Sequence, residues 1–313
     1  MSHIIADGLT ALCLLHKLVE HAHRLAVAQG DDDVVESRPV VDAPDDLLPA
    51  RYRGMRSIAT IAAAQVADRL TAVATRRHRL EPESVVPPPQ RKTRLLRRTL
   101  TSTQLDALSQ RCRAEGVTVH CALTAAMAMA IGPTVAQKNS GRICIGSPIN
   151  IRQELDPPVA ADEVGAYVTM SQAILRFGGD CDLWSVARQV TRSARRRSRR
   201  RQDLALVYAM RFLCPASVSK SPRIFRLIDR QGPGNVCISN MGRYDFPAAI
   251  GEWRLSGAQL AANLSISGHF VAIINTSHDE LFWNFFYTDR AVTERTAQRF
   301  ADDCVQTLLD AVA

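Results

Sequence analysis

Between Val117 and Gln137 the chain carries no charged residue. A stretch so apolar has two homes, the hydrocarbon of a bilayer or the centre of a folded protein. Its alanine content, His120 and the Gly132-Pro133 break favour a core helix over a membrane span. A core helix needs cover on every side, so this one element demands a layered fold around it. The chain has the means: 313 residues, 46% hydrophobic and 22% charged, are enough for two modest domains or one large one. That balance excludes an intrinsically disordered chain, and no internal repeat points to a solenoid.

Ahead of that stretch, Asp7-Gly8 leads into Leu9, Leu12, Leu15, Leu18, Val19, Ala22 and Leu25, an apolar stripe at helical spacing that stops at Gly30. Residues 31–54 are acidic and proline-bearing and read as a loop; Arg56 to Arg79 reads as a helix. Val85-Val86-Pro87-Pro88-Pro89-Gln90 is the stiff segment best suited to a linker. Beyond it helices and strands alternate. Strands are expected over 95–100, 142–151, 164–175, 235–239, 264–275 and 280–287, with Ser277-His278-Asp279 turning between the last two. Thr101 or Ser102 caps a helix through Arg113, and Thr118 caps the central helix, which Gly132 ends. One long helix is expected from Leu183 to about Leu213, and Thr293 caps a last one. The sum is a mixed α/β protein with antiparallel elements.

The 39 Lys and Arg exceed the 31 Asp and Glu to give a net charge of +8. Seven of the positive charges, Arg192, Arg195, Arg196, Arg197, Arg199, Arg200 and Arg201, lie within ten residues with no acid between them; without them the excess is +1. The basic character therefore describes one patch. So many guanidinium groups cannot share one helix face, and they are expected to be largely exposed to solvent. No aromatic interleaving accompanies them, which disfavours nucleic-acid binding. The eight cysteines are spread singly, with no CxxC pair to hold zinc and no disulfide framework required. His16, His21 and His23 lack i,i+4 metal-ligand spacing among themselves, and His120 reads as a core histidine. No nucleophile elbow, phosphate loop or dinucleotide fingerprint is found. The first residues lack the basic start of a signal peptide, and a cytoplasmic location is expected.

Chemistry enters with Ser2-His3-Ile4-Ile5-Ala6-Asp7-Gly8. A histidine with Asp four residues on and Gly next places an imidazole in a strand-to-helix loop, where the glycine admits conformations that a Cβ forbids. By spacing alone the plainer reading holds: a terminal histidine followed by an ordinary helix N-cap. Further segments, however, follow in order: Pro148-Ile149-Asn150-Ile151-Arg152, then Pro157-Pro158-Val159 with Val164-Gly165-Ala166-Tyr167, then Ser239-Asn240-Met241-Gly242. The ordered set resembles the chloramphenicol-acetyltransferase-like superfamily, with its H-H-x-x-x-D-G signature, its strand ending in N/D-L-R and its S-N-x-G segment. That superfamily includes peptide condensation domains and plant BAHD acyltransferases. The resemblance is closest to the polyketide-associated, dimycocerosyl-transferase branch.

The resemblance implies a two-domain α/β sandwich with mixed sheets across a channel, its first domain incomplete: residues 1–84 as the end of that domain, 85–92 as linker and 93–313 as the second domain. It implies His3 as the general base that takes a proton from an acceptor while the acceptor attacks an acyl thioester. An imidazole pKa near 6.5 suits that task. Asp7, Gly8 and Arg152 are implied as structural support, Asp7 pairing with Arg152, and Asn240 and Gly242 as channel residues. The expected reaction moves a fatty or polyketide acyl group from the phosphopantetheine of an acyl carrier protein, or from coenzyme A, to an alcohol. No metal or permanently bound cofactor is implied. Carrier protein or a polyketide synthase is the expected partner, docked on Arg196, Arg197 and Arg200 through their bidentate reach for carboxylate and phosphate. Amide formation, as in condensation domains, and an inactive carrier-binding scaffold are the alternatives. Ser2 stands where the family has its first histidine.

Overall fold

A computed structural model of the chain describes residues 5–27, 40–75, 78–200, 202–214, 217, 221–222, 226, 235–244, 246–264 and 268–313. Six strands form one sheet in the order β1-β8-β7-β4-β2-β3. They are β1 (Thr93–Leu100), β2 (Ser140–Asn150), β3 (Val168–Gly178), β4 (Val236–Arg243), β7 (Phe270–Ser277) and β8 (Glu280–Thr288); a separate two-stranded ribbon pairs β5 (Ala249–Ile250) with β6 (Trp253–Arg254). β4 runs parallel to β2 and to β7, and the remaining pairs are antiparallel. The mixed α/β class expected from the sequence is the one observed.

One face of the sheet is covered by four helices: α3 (Ser102–Ala114), α4 (Val119–Ala136), α5 (Leu183–Arg199) and α7 (Glu294–Val312). Each begins on a side-chain cap of the expected kind, and Thr101 and Gln104 make a reciprocal capping box on α3. α4 is apolar and long enough to cross a membrane by composition alone. Here it lies at the middle of the layer, with Leu123, Met127 and Ile131 wholly buried among α5, α7, β2 and β3. Phe270, Trp283, Phe285 and Phe300 complete that core with ring centroids 5.2–5.5 Å apart in successive pairs. The opposite face is smaller. Val271, Ile273 and Phe286 pack there beneath residues 255–264, a strap held by Asn275 and Asn284 donating to the carbonyls of Ala258 and Leu260. β7 and β8 are therefore buried on both sides. They are joined by a turn in which His278 and Asp279 take φ of 48° and 62°, the left-handed pair of a type I′ turn.

Four expectations are corrected. α4 does not end at Gly132; it runs through Pro133 to Ala136 and closes on Gln137, whose φ is 51°. Gly132 is small for packing, because a Cβ there would collide with the ring of Phe177. The long helix after Leu183 is two: α5 stops when Arg200 leaves helical geometry at ψ 0°, and α6 (Gln202–Leu213) begins afresh. The strand expected from Val164 starts at Val168, and the one expected from Leu264 starts at Phe270, because 164–167 and the strap are used to make other contacts. Residues 85–92, read as a linker, carry one 3₁₀ turn at Pro88–Gln90 and bury Val86.

Besides α6, two helices lie outside the four-helix layer. α1 (Gly8–Ala26) packs Leu12 and Val19 on Met241 near the end of β4 and on Tyr244, Phe246 and Ala258 beyond it. α2 (Met55–Thr75) packs Ile61 on Ala205 and Ala209 of α6, which in turn lies on β3. None of the eight cysteines is joined in a disulfide, and five of them are buried.

Candidate active site

The start of α1 is where the sequence signals converge. Asp7 stands in extended backbone (φ −86°, ψ −178°) and caps the helix, its Oδ1 accepting from the Thr10 amide at 3.0 Å. The same carboxylate takes a fork from Arg152: Nη1 donates to Oδ2 at 2.6 Å and Nη2 to Oδ1 at 3.2 Å. The two side chains are 2% and 1% exposed, so this is a dry ion pair between positions 145 residues apart. Arg152 sits there because β2 ends at Asn150, whose Oδ1 accepts the Arg152 amide at 3.0 Å and starts a tight 3₁₀ turn.

A buried charge pair is tolerable only when the remaining donors and acceptors are met. Tyr167 supplies its amide to Asp7 Oδ2 at 3.1 Å, and the Asp7 amide donates to the Gly165 carbonyl at 3.0 Å. Arg152 Nη2 also donates to Thr10 Oγ1 at 2.9 Å and to the Glu163 carbonyl at 3.3 Å. Arg152 Nε has no hydrogen-bond partner among the described residues, and the guanidinium lies 4.7 Å from the centre of the Tyr167 ring, a cation–π contact. Burial pushes the Asp7 carboxyl up, but the Arg152 hydrogen bond, the Thr10 amide, the Arg152 charge and the Tyr167 amide outweigh it and hold the group below its ordinary value. Thr10 and Tyr167 are the members of this network that sequence reasoning missed. Thr10 had a usable signal, a hydroxyl one helical turn from a capping carboxylate; Tyr167 had none beyond lying in a family-like segment.

The S-N-x-G segment meets the same helix end. Gly8 is the first residue of α1, in ordinary helical geometry, so the expected need for unusual backbone is absent. Its missing side chain instead leaves room for Met241 and Leu260, which a Cβ would meet. Asn240 Oδ1 accepts the Gly242 amide at 2.8 Å, and Gly242 takes φ of 73° at a register shift where β4 leaves β7. The structure thus brings Asp7, Gly8 and Arg152 together and sets Asn240-Met241-Gly242 beside them. Ser2 and His3 lie outside the described residues.

The arginine run is elsewhere, at the C-terminal end of α5. Arg192, Arg195, Arg196, Arg199 and Arg200 are exposed and have no acidic partner among the described residues. Arg197 departs from the expected exposure. Its side chain is 14% exposed and its Nε donates to Asp203 at 3.0 Å, fixing the break between α5 and α6, so it is not a free docking cation. Among the described residues no group of three or more His, Cys, Asp or Glu could hold a metal ion.

The profile of the family described as "Phthiocerol/phthiodiolone dimycocerosyl transferase C-terminus" matches residues 89–268, more than half of the chain. The chain belongs to this family. No curated protein sequence matches it. Solved structures of the same fold include the epimerization domain from the third module of tyrocidine synthetase B, at 16% identity and a TM-score of 0.68 over 100% of this chain and 67% of that one. The trichothecene 15-O-acetyltransferase of Fusarium sporotrichioides matches at 16% identity and TM-score 0.67, covering 98% and 64%. Polyketide synthase associated protein 5 of Mycobacterium tuberculosis matches at 14% and 0.61, covering 99% and 72%. The chain therefore spans about two thirds of the length of these structures. At such identities they show a shared fold, that of the condensation and acyltransferase domains, around which the dimycocerosyl-transferase family is built.

Proposed function

We propose that the chain is an acyl-transfer module that moves a fatty or polyketide acyl group from a thioester to an alcohol, forming an ester. The observation that carries this reading is the dry Asp7–Arg152 pair at the start of α1, seated beside Asn240-Met241-Gly242. A pair so costly to bury fixes the start of α1, and in the sequence His3 is four residues ahead of that carboxylate. In this reading His3 takes the proton of the acceptor hydroxyl as its oxygen bonds to the thioester carbon. The tetrahedral adduct then collapses, the C–S bond breaks, and the same proton passes to the departing thiolate. Backbone amides near Gly242 are candidates to donate to the oxyanion. The donor is an acyl carrier protein or acyl-coenzyme A, and the exposed Arg196 and Arg200, which have no acidic partner among the described residues, are suited to its carboxylates or phosphates; Arg197 supports them from within.

The test supplies the full chain with acyl-coenzyme A or acyl carrier protein and, separately, a long-chain alcohol and a primary amine, with mass detection of product. Ester formation that falls about 10²–10⁴-fold in His3→Ala supports the reading. Product with the amine alone replaces it by amide formation, and no product with either acceptor overturns it. Arg196→Glu with Arg200→Glu should raise the KM for carrier protein in a salt-dependent way while leaving kcat unchanged.

A further inference from the structure

Beside the 3₁₀ turn that Arg152 begins lies a cavity of about 440 Å³, within the range of about 300–1,000 Å³ that small-molecule sites occupy. Three stretches distant in the chain line it: the 3₁₀ turn Ala50–Tyr52, residues 153–158 and the start of α6. Two of its lining residues, Leu155 and Leu204, are buried in the small core that also holds Tyr167. The chain's own hydrogen bonds set its shape. The Asp156 amide donates to the Leu47 carbonyl at 2.8 Å, and Arg53 Nε and Ser57 Oγ donate to the carbonyls of Leu48 and Tyr52 at 2.6 and 2.5 Å.

The charges around this cavity are unmatched. Elsewhere in the same region Asp45 and Asp46 are answered by Arg211 at 3.1 and 2.7 Å, and Asp203 by Arg197 at 3.0 Å. Arg51, Glu154 and Asp156 all line the cavity and are exposed; they do not pair with one another and have no ionic partner among the described residues. The Arg51 guanidinium rests instead 5.0 Å from the centre of the Tyr52 ring. Partial burial of its carboxyl, with the charge of Asp203 added, holds Glu154 above its ordinary value, as befits a carboxylate with no cation at hand. We propose that the cavity binds a small zwitterion with an apolar body, of which an apolar α-amino acid is the simplest. Its ammonium lies against Glu154 and Asp156, its carboxylate on the Arg51 fork and its body over Leu155 and Leu204. A plain amine would leave Arg51 unanswered and face a like charge, and a plain acid would meet two carboxylates. The site is distinct from the Asp7–Arg152 pair and independent of the reaction proposed above.

Calorimetric titration of the full chain with L-norleucine, hexanoate and pentylamine tests this, because the last two are norleucine without its ammonium and without its carboxylate. Norleucine should bind at least about tenfold more tightly than either. Arg51→Gln should weaken norleucine about tenfold and abolish its advantage over pentylamine, whereas Glu154→Gln should abolish its advantage over hexanoate. Both side chains are exposed, so each variant should keep its Tm within about 2 °C, and the exchange of preference is a readout that loss of structure would not produce. Pentylamine binding as tightly as norleucine overturns the proposal in favour of a simple cation site, and hexanoate doing so overturns it in favour of an anion site. No binding of norleucine up to about 10 mM overturns it outright.

Discussion

α4 and α2 are written in nearly the same alphabet. Both are rich in alanine, and both have long uncharged runs, Val117 to Gln137 in one and Ser57 to Ala67 in the other. α4 is enclosed by three helices and two strands, whereas α2 is covered along one face by α6 and leaves Ala59, Ala62, Ala63 and Val66 open. What separates them is the neighbourhood: the cover is built by strands and helices distant in sequence. The same contrast holds for charge. The guanidinium of Arg152 is enclosed and answered by four groups, while the arginines of α5 are open and mostly unanswered among the described residues.

The largest effect that would break this contrast is at the enclosed charge. Arg152→Met should cost about 3–5 kcal/mol by stranding a buried Asp7, and adding Asp7→Leu should recover most of it; denaturant titration of the two single variants and the double measures this, and additive losses would show that the pair is not coupled. Next, Met127→Ala in α4 should cost about 2–5 kcal/mol by opening a void. Gly132→Ala should cost about 1–3 kcal/mol because the new methyl meets Phe177, and Phe177→Leu in the same chain should relieve it.

Acidity gives a smaller, signed effect. Asp7 is held below its ordinary value, so its contribution to stability is whole above about pH 5 and is lost as pH falls through the folded-state value below 4. Burial lowers His120, so the folded state loses stability earlier, as pH falls below about 6.5, where the unfolded chain takes up the proton more readily. His120→Gln should therefore narrow the gap in Tm between pH 7.5 and 5.5, and Asp7→Asn should leave that gap as it is. The smallest effect belongs to the open face: Val66→Gln should change the stability of the isolated chain by less than about 0.5 kcal/mol.

Elements governed by short-range chemistry were legible in the sequence. Thr101, Thr118 and Thr293 announce helix starts because a hydroxyl at that position satisfies a free amide, and the central helix is read from its lack of charge. The pairing of Asp7 with Arg152 could be expected only through resemblance, since nothing local joins residues so distant in the chain. Gly132 was misread because glycine after an apolar run signals a helix end in general, whereas here its use depends on Phe177, a residue of strand β3. Arg197 was misread for the same reason: its partner Asp203 lies beyond a helix break that the continuous periodicity concealed.

The free thiols carry a practical consequence. Burial pushes Cys112 up to about 11 and Cys237 up to about 12, and Cys304 well above its ordinary range, so these sulfurs stay protonated and unreactive at neutral pH. Cys214, just past α6, is the exposed one. A maleimide dye should therefore attach there first in the native protein, ahead of the half-buried Cys13 and Cys181, and the folded molecule comes with its own address for fluorescence without any engineering.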